Sequence, residues 1–285
     1  GRSESCTTTC GLAGTRTCGV GCSWGVCRVA SEVACNGCDD DGDGVTDEGT
    51  WCTVTGLPSS DDFFAIHGTA ANDAWIVGQN GLILRWNGTA WSRVTSATTR
   101  SLRSVWAVSS SVAWSAGDGG TIVRWNGTSW ALQSIPIGNN LLAVWASSST
   151  NAWSAGDGGH VLHFVTSSWS EVASGTGSRI RALWGAAPAD VWAAGDGGTI
   201  LWWNGTSWAS RNTGAPSEHW YALAGNGSTD IWVGGDGGPI ARWNGTRWTA
   251  SSPAAPDDVF GLWSLGAGDA WYVGKSGITG RWNGT

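Results

Sequence analysis

The sequence predicts an all-β chain of repeated four-stranded sheets, and three observations support this prediction. A Trp recurs every 39 or 40 residues, at Trp75, Trp114, Trp153, Trp192, Trp232 and Trp271. The 285 residues include 45 Gly and 24 Trp, and no segment has the i, i+4 apolar pattern of a helix. Each copy also contains Asn-Gly or Asp-Gly, which are the strongest short hairpin signals.

The second copy shows how a repeat divides into strands. Residues 102–109, 112–117, 121–125 and 129–135 are predicted as its four strands. Asp118-Gly119-Gly120 and Asn126-Gly127 separate them, and such pairs favour type I′ turns, which need positive φ at both central residues. A period near 40 residues in a chain rich in Gly and Trp indicates the blades of a β-propeller. A β-solenoid, whose coils are usually shorter, is the main alternative.

Six copies predict a six-bladed β-propeller over residues 50–285. The sixth copy ends after its third strand, whereas residues 50–58 resemble a fourth strand. The 236 residues from 50 to 285 equal six periods of 39 plus two one-residue insertions. We therefore expect residues 50–58 to complete the last blade and to close the ring, because closure removes open sheet edges. Most of the Trp residues should fill the stacked sheets, each indole N–H with an acceptor.

Residues 1–49 are predicted as a separate disulfide-rich, calcium-binding module. The eight Cys fall in the first 52 residues, at Cys6, Cys10, Cys18, Cys22, Cys27, Cys35, Cys38 and Cys52. Dense, even-numbered Cys are typical of disulfide-stapled modules from oxidising compartments, so we expect an extracellular or cell-surface protein. Zinc is the alternative because Cys35 and Cys38 form a CxxC pair, but no second CxxC follows and no His precedes His67.

The acidic segment 39–48, DDDGDGVTDE, has the spacing of a calcium loop. Asp39, Asp41 and Asp43 occupy positions 1, 3 and 5, and position 12, where an EF-hand has Glu, is Thr50. Hard oxygen ligands at this spacing select Ca²⁺ over softer metals. The predicted metal ligands are Asp39, Asp41, Asp43, Val45 through its carbonyl, Asp47 and Glu48. A solvated acidic linker is the alternative.

Two resemblances follow from these motifs. The stretch from Cys35 to Glu48, CNGCDDDGDGVTDE, resembles the cysteine-rich metal-binding motif of myxobacterial surface proteins and the calcium loops of thrombospondin type 3 repeats, with Gly42 where the former usually has Cys. The repeats resemble Trp-rich propellers of secreted bacterial proteins and, distantly, Asp-box and photosystem assembly-factor propellers. The SxDxGxxW Asp-box itself is absent. The WNGTSW stretches are similar to the WxGxGW stretches of six-bladed fucose-binding lectins.

Two sets of repeated residues are candidates for surface chemistry. Four Arg residues precede the third-strand aromatic and could hold a glycan beside Trp, or simply form a solvated strand face: Arg85, Arg124, Arg242 and Arg281. Five Asn-Gly-Thr sequons could accept N-glycans, although turn chemistry alone explains them: Asn87, Asn126, Asn204, Asn244 and Asn283.

The composition and motifs argue against several classes of function. The formal net charge of −7 argues against a nucleic-acid partner, and no apolar run approaches a membrane span. No nucleophile–base constellation is recognisable, so we expect no enzyme. The sequence predicts a non-catalytic extracellular binding or scaffold protein, with a calcium-stabilised module and a multivalent propeller that contacts a protein or glycan surface, or copies of itself. A carbohydrate-binding lectin and a glycoside hydrolase are the two alternatives.

Overall fold

The computed structural model describes residues 3–7, 13–17, 54–211, 213, 219–250, 255–266 and 268–283. The chain divides into two units, Gly1–Leu57 and Pro58–Thr285. In the first unit, β1 (Ser3–Thr7) and β2 (Ala13–Thr17) form an antiparallel pair in which Cys6 lies opposite Gly14. The calcium loop and the seven Cys other than Cys6 lie outside the described residues.

The second unit is a six-bladed β-propeller of antiparallel sheets, as the repeats predict. Blade 1 contains β3 (Phe63–Ala70), β4 (Asp73–Gly78), β5 (Ile83–Trp86) and β6 (Trp91–Arg93). Blade 2 contains β7 (Leu102–Ser109), β8 (Val112–Gly117), β9 (Thr121–Trp125) and β10 (Trp130–Leu132). Blade 3 contains β11 (Leu141–Ser148), β12 (Asn151–Gly156), β13 (Val161–Val165) and β14 (Ser168–Val172).

The other three blades repeat this order. Blade 4 contains β15 (Ile180–Ala187), β16 (Asp190–Gly195), β17 (Ile200–Trp203) and β18 (Trp208–Ser210). Blade 5 contains β19 (Trp220–Gly225), β20 (Ile231–Gly235), β21 (Ile240–Trp243) and β22 (Trp248–Ala250). Blade 6 has three strands in the described part of the chain, β23 (Val259–Gly266), β24 (Asp269–Gly274) and β25 (Thr279–Trp282). Residues 54–58 form no strand and residues 50–53 are not described, so the closing strand stays a prediction.

The hydrophobic core lies between blades. Each apolar cluster combines one blade with the next; Trp75 and Val77 of blade 1, for example, pack with Leu102 and Val105 of blade 2. The second strands of blades 1 to 5 are therefore buried on both faces, as at five of the six positions of β8. First strands of successive blades contact one another, from β3 to β23, and form the inner wall of the ring. Sheets stacked face to face account for the apolar residues on both strand faces.

An aromatic cluster forms each of the five described junctions between successive blades, with three aromatic rings in the first four and two in the fifth. The second-strand Trp of one blade inserts between the third- and fourth-strand aromatics of the next, with ring centroids 4.8 to 5.8 Å apart. The five clusters join Trp75 to Trp125 and Trp130, Trp114 to Phe164 and Trp169, Trp153 to Trp203 and Trp208, Trp192 to Trp243 and Trp248, and Trp232 to Trp282.

Most of the inserted indoles have no acceptor for their N–H among the described residues. Among the described residues, Nε1 has no partner in four of the five inserted indoles, those of Trp75, Trp114, Trp153 and Trp232. Trp192 alone of the five donates, to Asp190 at 2.9 Å. These indoles instead pack against other aromatic rings, which bury their area without supplying an oxygen acceptor.

The repeated turns lie at opposite ends of the blades. The turns between second and third strands, such as Asp118-Gly119-Gly120, share one end with the starts of the first strands, since the Asp118 N–H donates to the Ser101 carbonyl at 2.9 Å. We call this end the GDGG face. In blades 1, 3 and 6 this turn spans Gln79–Gly81, Asp157–Gly159 and Lys275–Gly277, and the last two residues of each have positive φ. The hairpins of the Asn-Gly-Thr sequons lie at the other end, which we call the NGT face. No described helix is long and apolar enough to span a membrane.

The type I′ geometry expected for the Asn-Gly-Thr hairpins is wrong. Asn126 donates its N–H to the Ser129 carbonyl at 3.2 Å, so that Gly127 and Thr128 are the central residues. Only Gly127 has positive φ, at 98°, as in a type II′ turn. The Asn126 Oδ1 accepts the backbone N–H groups of the next turn residues, and this bond places the Asn before the turn. In the GDGG turns both central residues are glycines with positive φ, such as Gly119 at 61° and Gly120 at 70°, so the expectation of positive φ at both central residues is confirmed there.

Candidate functional site

Every first strand carries a β-bulge at the same point, near the GDGG face. Its register with the second strand skips one residue, as between Leu102 and Ser104 in blade 2. A bulge leaves the skipped residue unpaired and re-aims its side chain. The six skipped residues, which we call the bulge ring, are Phe64, Arg103, Leu142, Arg181, Tyr221 and Phe260. Whereas most repeat positions keep one residue type, this position varies between aromatic, aliphatic and cationic side chains.

The bulge ring surrounds one mouth of the central channel. The channel holds a cavity of about 410 Å³ lined by residues from all six first strands, including Leu142, Arg181, Tyr221 and Phe260. Neighbouring members of the ring contact one another. The Arg181 guanidinium lies 5.1 Å from the Tyr221 ring, and the Tyr221 and Phe260 rings are 5.5 Å apart. In the same way, the Arg103 guanidinium lies 4.5 Å from the Phe64 ring.

The GDGG turns hold the two arginines of the bulge ring in place. Both oxygens of Asp118 accept hydrogen bonds from Arg103, at 2.8 and 2.7 Å. Asp196 accepts equivalent bonds from Arg181. Burial raises the pKa of Asp196, but the hydrogen bond and charge of Arg181 and the neighbouring His219 outweigh it, so the pKa lies below its usual range. Asp118 and Asp196 therefore position the two arginines of the bulge ring in addition to forming turns.

The mouth combines exposed aromatic surface with negative charge. Phe260 is 55% exposed, and Tyr221 of blade 5 lies between Arg181 of blade 4 and Phe260 of blade 6. Burial raises the pKa of Tyr221, and the negative charges of Asp236, Asp258 and Asp196 add to this shift. Asp236 is exposed. Such a site can take up an apolar side chain and favours a cation beside it.

The four arginines predicted for glycan binding lie elsewhere. Each is paired across the sheet with the second-strand Trp of its own blade, toward the NGT face, and its guanidinium lies 4.8 to 5.3 Å from that indole. Arg85, Arg242 and Arg281 also pair with an Asp twelve residues earlier, at 3.1, 2.7 and 2.8 Å. The arginines are spread around the ring, one to a blade, and do not converge on one pocket. Glycan binding at these arginines stays a prediction.

Arg124 differs from the other three because Val112 stands where they have Asp. Its Nε is buried and has no hydrogen-bond partner among the described residues. The spacing of twelve residues between Asp and Arg was readable in the sequence, as was the spacing of fifteen between Arg103 and Asp118 and between Arg181 and Asp196. Both pairings depend on the register between neighbouring strands.

The remaining predicted sites have these positions. Asn87, Asn126, Asn204 and Asn244 lie exposed at hairpins of the NGT face, and Asn283 follows β25; their glycosylation stays a prediction. Among the described residues, no three His, Cys, Asp or Glu side chains converge as a metal site. The predicted ligands of the calcium loop, residues 39–48, are not described, so that site also stays a prediction.

Comparison with known proteins shows the fold. No family model matches the chain, and no curated protein matches it in sequence. It is similar to YCF48 bound to a D1 peptide, at 19% identity and a TM-score of 0.64, over 85% of this chain and 84% of that one. It is also similar to YCF48 from Cyanidioschyzon merolae (16% identity, TM-score 0.57, 80% and 97% covered) and to U3-55K (12%, 0.67, 79% and 78%). The expected likeness to photosystem assembly-factor propellers is confirmed for the fold.

Proposed function

We propose that this protein is a non-catalytic binding propeller that takes a segment of a protein partner at the bulge ring. The observation that carries the proposal is the recurrence of one bulge in all six first strands, at a position that holds Phe, Arg, Leu or Tyr. Four of the six skipped residues line the channel cavity: Leu142, Arg181, Tyr221 and Phe260. A rigid scaffold that presents varied side chains at one opening is typical of a binding site. The YCF48 structure with a D1 peptide supports a peptide ligand by analogy of fold alone.

The chemistry of the mouth defines the partner. Phe260 and Tyr221 offer aromatic surface to an apolar side chain, and the exposed Asp236 favours a basic residue next to it. Arg103 and Arg181 are already held by aspartates, which leaves less free positive charge for an anionic ligand. The formal charge of −7 points in the same direction. We therefore expect an extended segment with apolar and basic side chains.

A displayed peptide library tests this proposal. Peptides selected on the full chain are labelled, and their affinities are measured by fluorescence anisotropy for the wild type, Tyr221→Ser and Phe260→Ser. Leu132→Ser is the matched control, because Leu132 is 58% exposed but lies on an outer strand. We expect each mouth substitution to weaken binding at least about tenfold and the control to leave it unchanged. Equal affinities for all four proteins would contradict the proposal.

The alternatives give different outcomes in parallel assays. A lectin would bind a glycan array and lose binding when Arg85 or Arg242 is replaced, with the mouth variants unaffected. A glycoside hydrolase would turn over aryl glycosides. We expect neither result. Three of the four repeated arginines are already paired with aspartates, which leaves them less free to bind a glycan.

We further propose that the protein is extracellular or cell-surface, with residues 1–49 as a disulfide-rich module that binds Ca²⁺. This part rests on the sequence alone, on the Cys density and on the carboxylates of residues 39–48. Intact mass without reductant should show all eight Cys oxidised. Several free thiols would contradict the extracellular assignment.

A further inference from the structure

Three of the four aspartates in the GDGG turns have a cationic partner within the chain, and the fourth has none. The pairs are Asp118 with Arg103, Asp157 with Arg179, and Asp196 with Arg181 and His219. Asp236 in blade 5 is exposed, and its carboxylate forms no hydrogen bond or ion pair in the described part of the chain. An unpaired, exposed carboxylate at the mouth of the channel is available to a cation that comes from a partner.

The bulge-ring residue of blade 5 supplies an aromatic ring but no positive charge. Tyr221 stands at the position where blades 2 and 4 have Arg103 and Arg181. Among the described residues, its phenol donates no hydrogen bond to Asp236. Burial raises the pKa of Tyr221, and the negative charge of Asp236 is the next largest cause of this shift. The Asp236 carboxylate therefore acts on the Tyr221 ring without receiving a donor from it.

The residue before the first strand of the next blade does not supply a cation either. Arg179 and His219 occupy this position in blades 4 and 5, and each contacts the aspartate of the preceding GDGG turn. In blade 6 the equivalent residue is Asp258, which accepts a backbone N–H of the blade 5 turn at 2.8 Å and pairs with Lys275 at 3.6 Å. Both positions that neutralise the other turn aspartates thus leave Asp236 without a positive charge.

Arg181 shows how a guanidinium fits between a turn aspartate and an aromatic ring of the bulge ring. Two of its nitrogens donate to the two carboxylate oxygens of Asp196, and its Cζ lies 5.1 Å from the Tyr221 ring of the next blade. One blade further on, the equivalent aspartate is Asp236 and the equivalent ring is that of Phe260, which is 55% exposed. Blade 5 therefore repeats this corner, with both its carboxylate and its ring open to solvent.

We propose that an arginine of the protein partner occupies this corner, with its guanidinium paired to Asp236 and lying over the Phe260 ring. The inference rests on the proposed function and names the residue that anchors the partner at the bulge ring. Arginine fits the corner better than lysine, because its planar guanidinium can donate to both oxygens of a carboxylate while its face lies on an aromatic ring. The partner thus supplies the cation that the chain itself supplies to the other three turn aspartates.

Peptides from a displayed library, and their synthetic analogues, test this anchor. The library is selected on the full chain, and the arginine that the selected peptides share is replaced by lysine or by citrulline, which keeps the shape of arginine without its charge. Fluorescence anisotropy then gives the affinities for the wild type, Asp236→Asn and Asp157→Asn. Asp157→Asn is the matched control, because it removes the same charge from a GDGG turn whose aspartate is already paired with Arg179.

The expected result is a coupling between the peptide arginine and Asp236. Citrulline should weaken binding about tenfold, and lysine less, for both the wild type and Asp157→Asn. Asp236→Asn should bind the arginine peptide about tenfold more weakly than the wild type does and should bind the citrulline peptide as the wild type does. The unchanged affinity for the citrulline peptide also shows that Asp236→Asn is folded.

Other outcomes would overturn the inference and separate it from the proposed function. Selected peptides without a shared arginine, or an equal loss on citrulline substitution in the wild type and Asp236→Asn, would remove the anchor. The proposed function would still stand if Tyr221→Ser and Phe260→Ser weakened binding of the same peptides. An equal loss of affinity in Asp157→Asn and Asp236→Asn would reduce the effect to the net charge of the face and would also overturn the anchor. A library without any binder for the wild type would overturn both proposals.

Discussion

Replacing His67 with Trp should remove a loss of stability in mild acid. His67 occupies the first-strand position at which Trp106, Trp145 and Trp184 stand in other blades. Its ring lies 4.1 Å from the Trp106 ring, and its Nδ1 accepts the Ala107 backbone N–H at 3.1 Å. Burial lowers the pKa of His67 to about 4. The neutral imidazole is therefore the form that fits, because a protonated Nδ1 could not accept this hydrogen bond.

The sign and size of the effect follow from linkage. An unfolded His titrates near pH 6.5, so the unfolded chain takes up this proton first as the pH falls. The stability due to neutral His67 is fully present above pH 6.5 and is lost between pH 6.5 and about 4. The whole pKa shift of His67 contributes at most about 3 kcal/mol to the free energy of unfolding. Because the side chain is partly exposed, we expect about 2 kcal/mol.

Urea unfolding at pH 7.5 and pH 4.5 measures this loss. His67→Gln is the matched control, since its amide oxygen can accept the Ala107 N–H but does not titrate. We expect the difference in unfolding free energy between the two pH values to be about 2 kcal/mol smaller for both variants than for the wild type. Burial also lowers the pKa of His163 to about 4, but that contribution is common to all three proteins and cancels. Identical pH dependence in the three proteins would refute the reasoning.

Three further substitutions or treatments test other parts of the structure. Trp153→Ala should lower the free energy of unfolding by about 3–5 kcal/mol and Trp271→Ala by about 1 kcal/mol, because only the Trp153 indole fills a junction between blades. Equal losses of the two variants in urea unfolding would contradict this role of the junctions. Val112→Asp should raise the free energy of unfolding by about 1 kcal/mol, because it gives Arg124 the carboxylate that the equivalent arginines have. Val112→Ala is the control, and a Val112→Asp protein less stable than this control would contradict the pairing. Asp41→Ala should weaken the calorimetric heat of Ca²⁺ binding, and an absence of Ca²⁺ heat in the wild type would remove the calcium site.

The blades could be predicted from the sequence because the repeats impose one strand pattern six times. In blade 2, the first three predicted strands have the observed bounds, Leu102–Ser109, Val112–Gly117 and Thr121–Trp125. The fourth, predicted over 129–135, spans only Trp130–Leu132. It is the outermost strand of its sheet, where no further strand stabilises its ends. The Asn-Gly hairpins were predicted in position but not in type, because the Asn side chain bonds to the turn from outside it.

The candidate site could not be predicted in the same way. A bulge depends on the register between two strands, and Phe64 and Arg103 share no residue type that marks them as equivalent. The sequence analysis selected Arg85 and its equivalents because they repeat, but these arginines pack on Trp residues of their own blades. The candidate binding position, that of the bulge ring, varies from blade to blade. In this protein, a position whose residue type varies at a repeated bulge indicates a binding site better than a residue type that repeats in most blades.

Hydrogen exchange of the full chain, with and without a peptide selected from the displayed library, tests the central claim most directly. If the bulge ring is the binding site, the peptide should slow exchange in the first strands near the GDGG face, in segments that contain Arg103, Tyr221 and Phe260, and should leave the hairpins of the NGT face unchanged. Protection confined to the NGT face or to the outer strands would contradict the claim that this propeller binds its partner at the channel mouth.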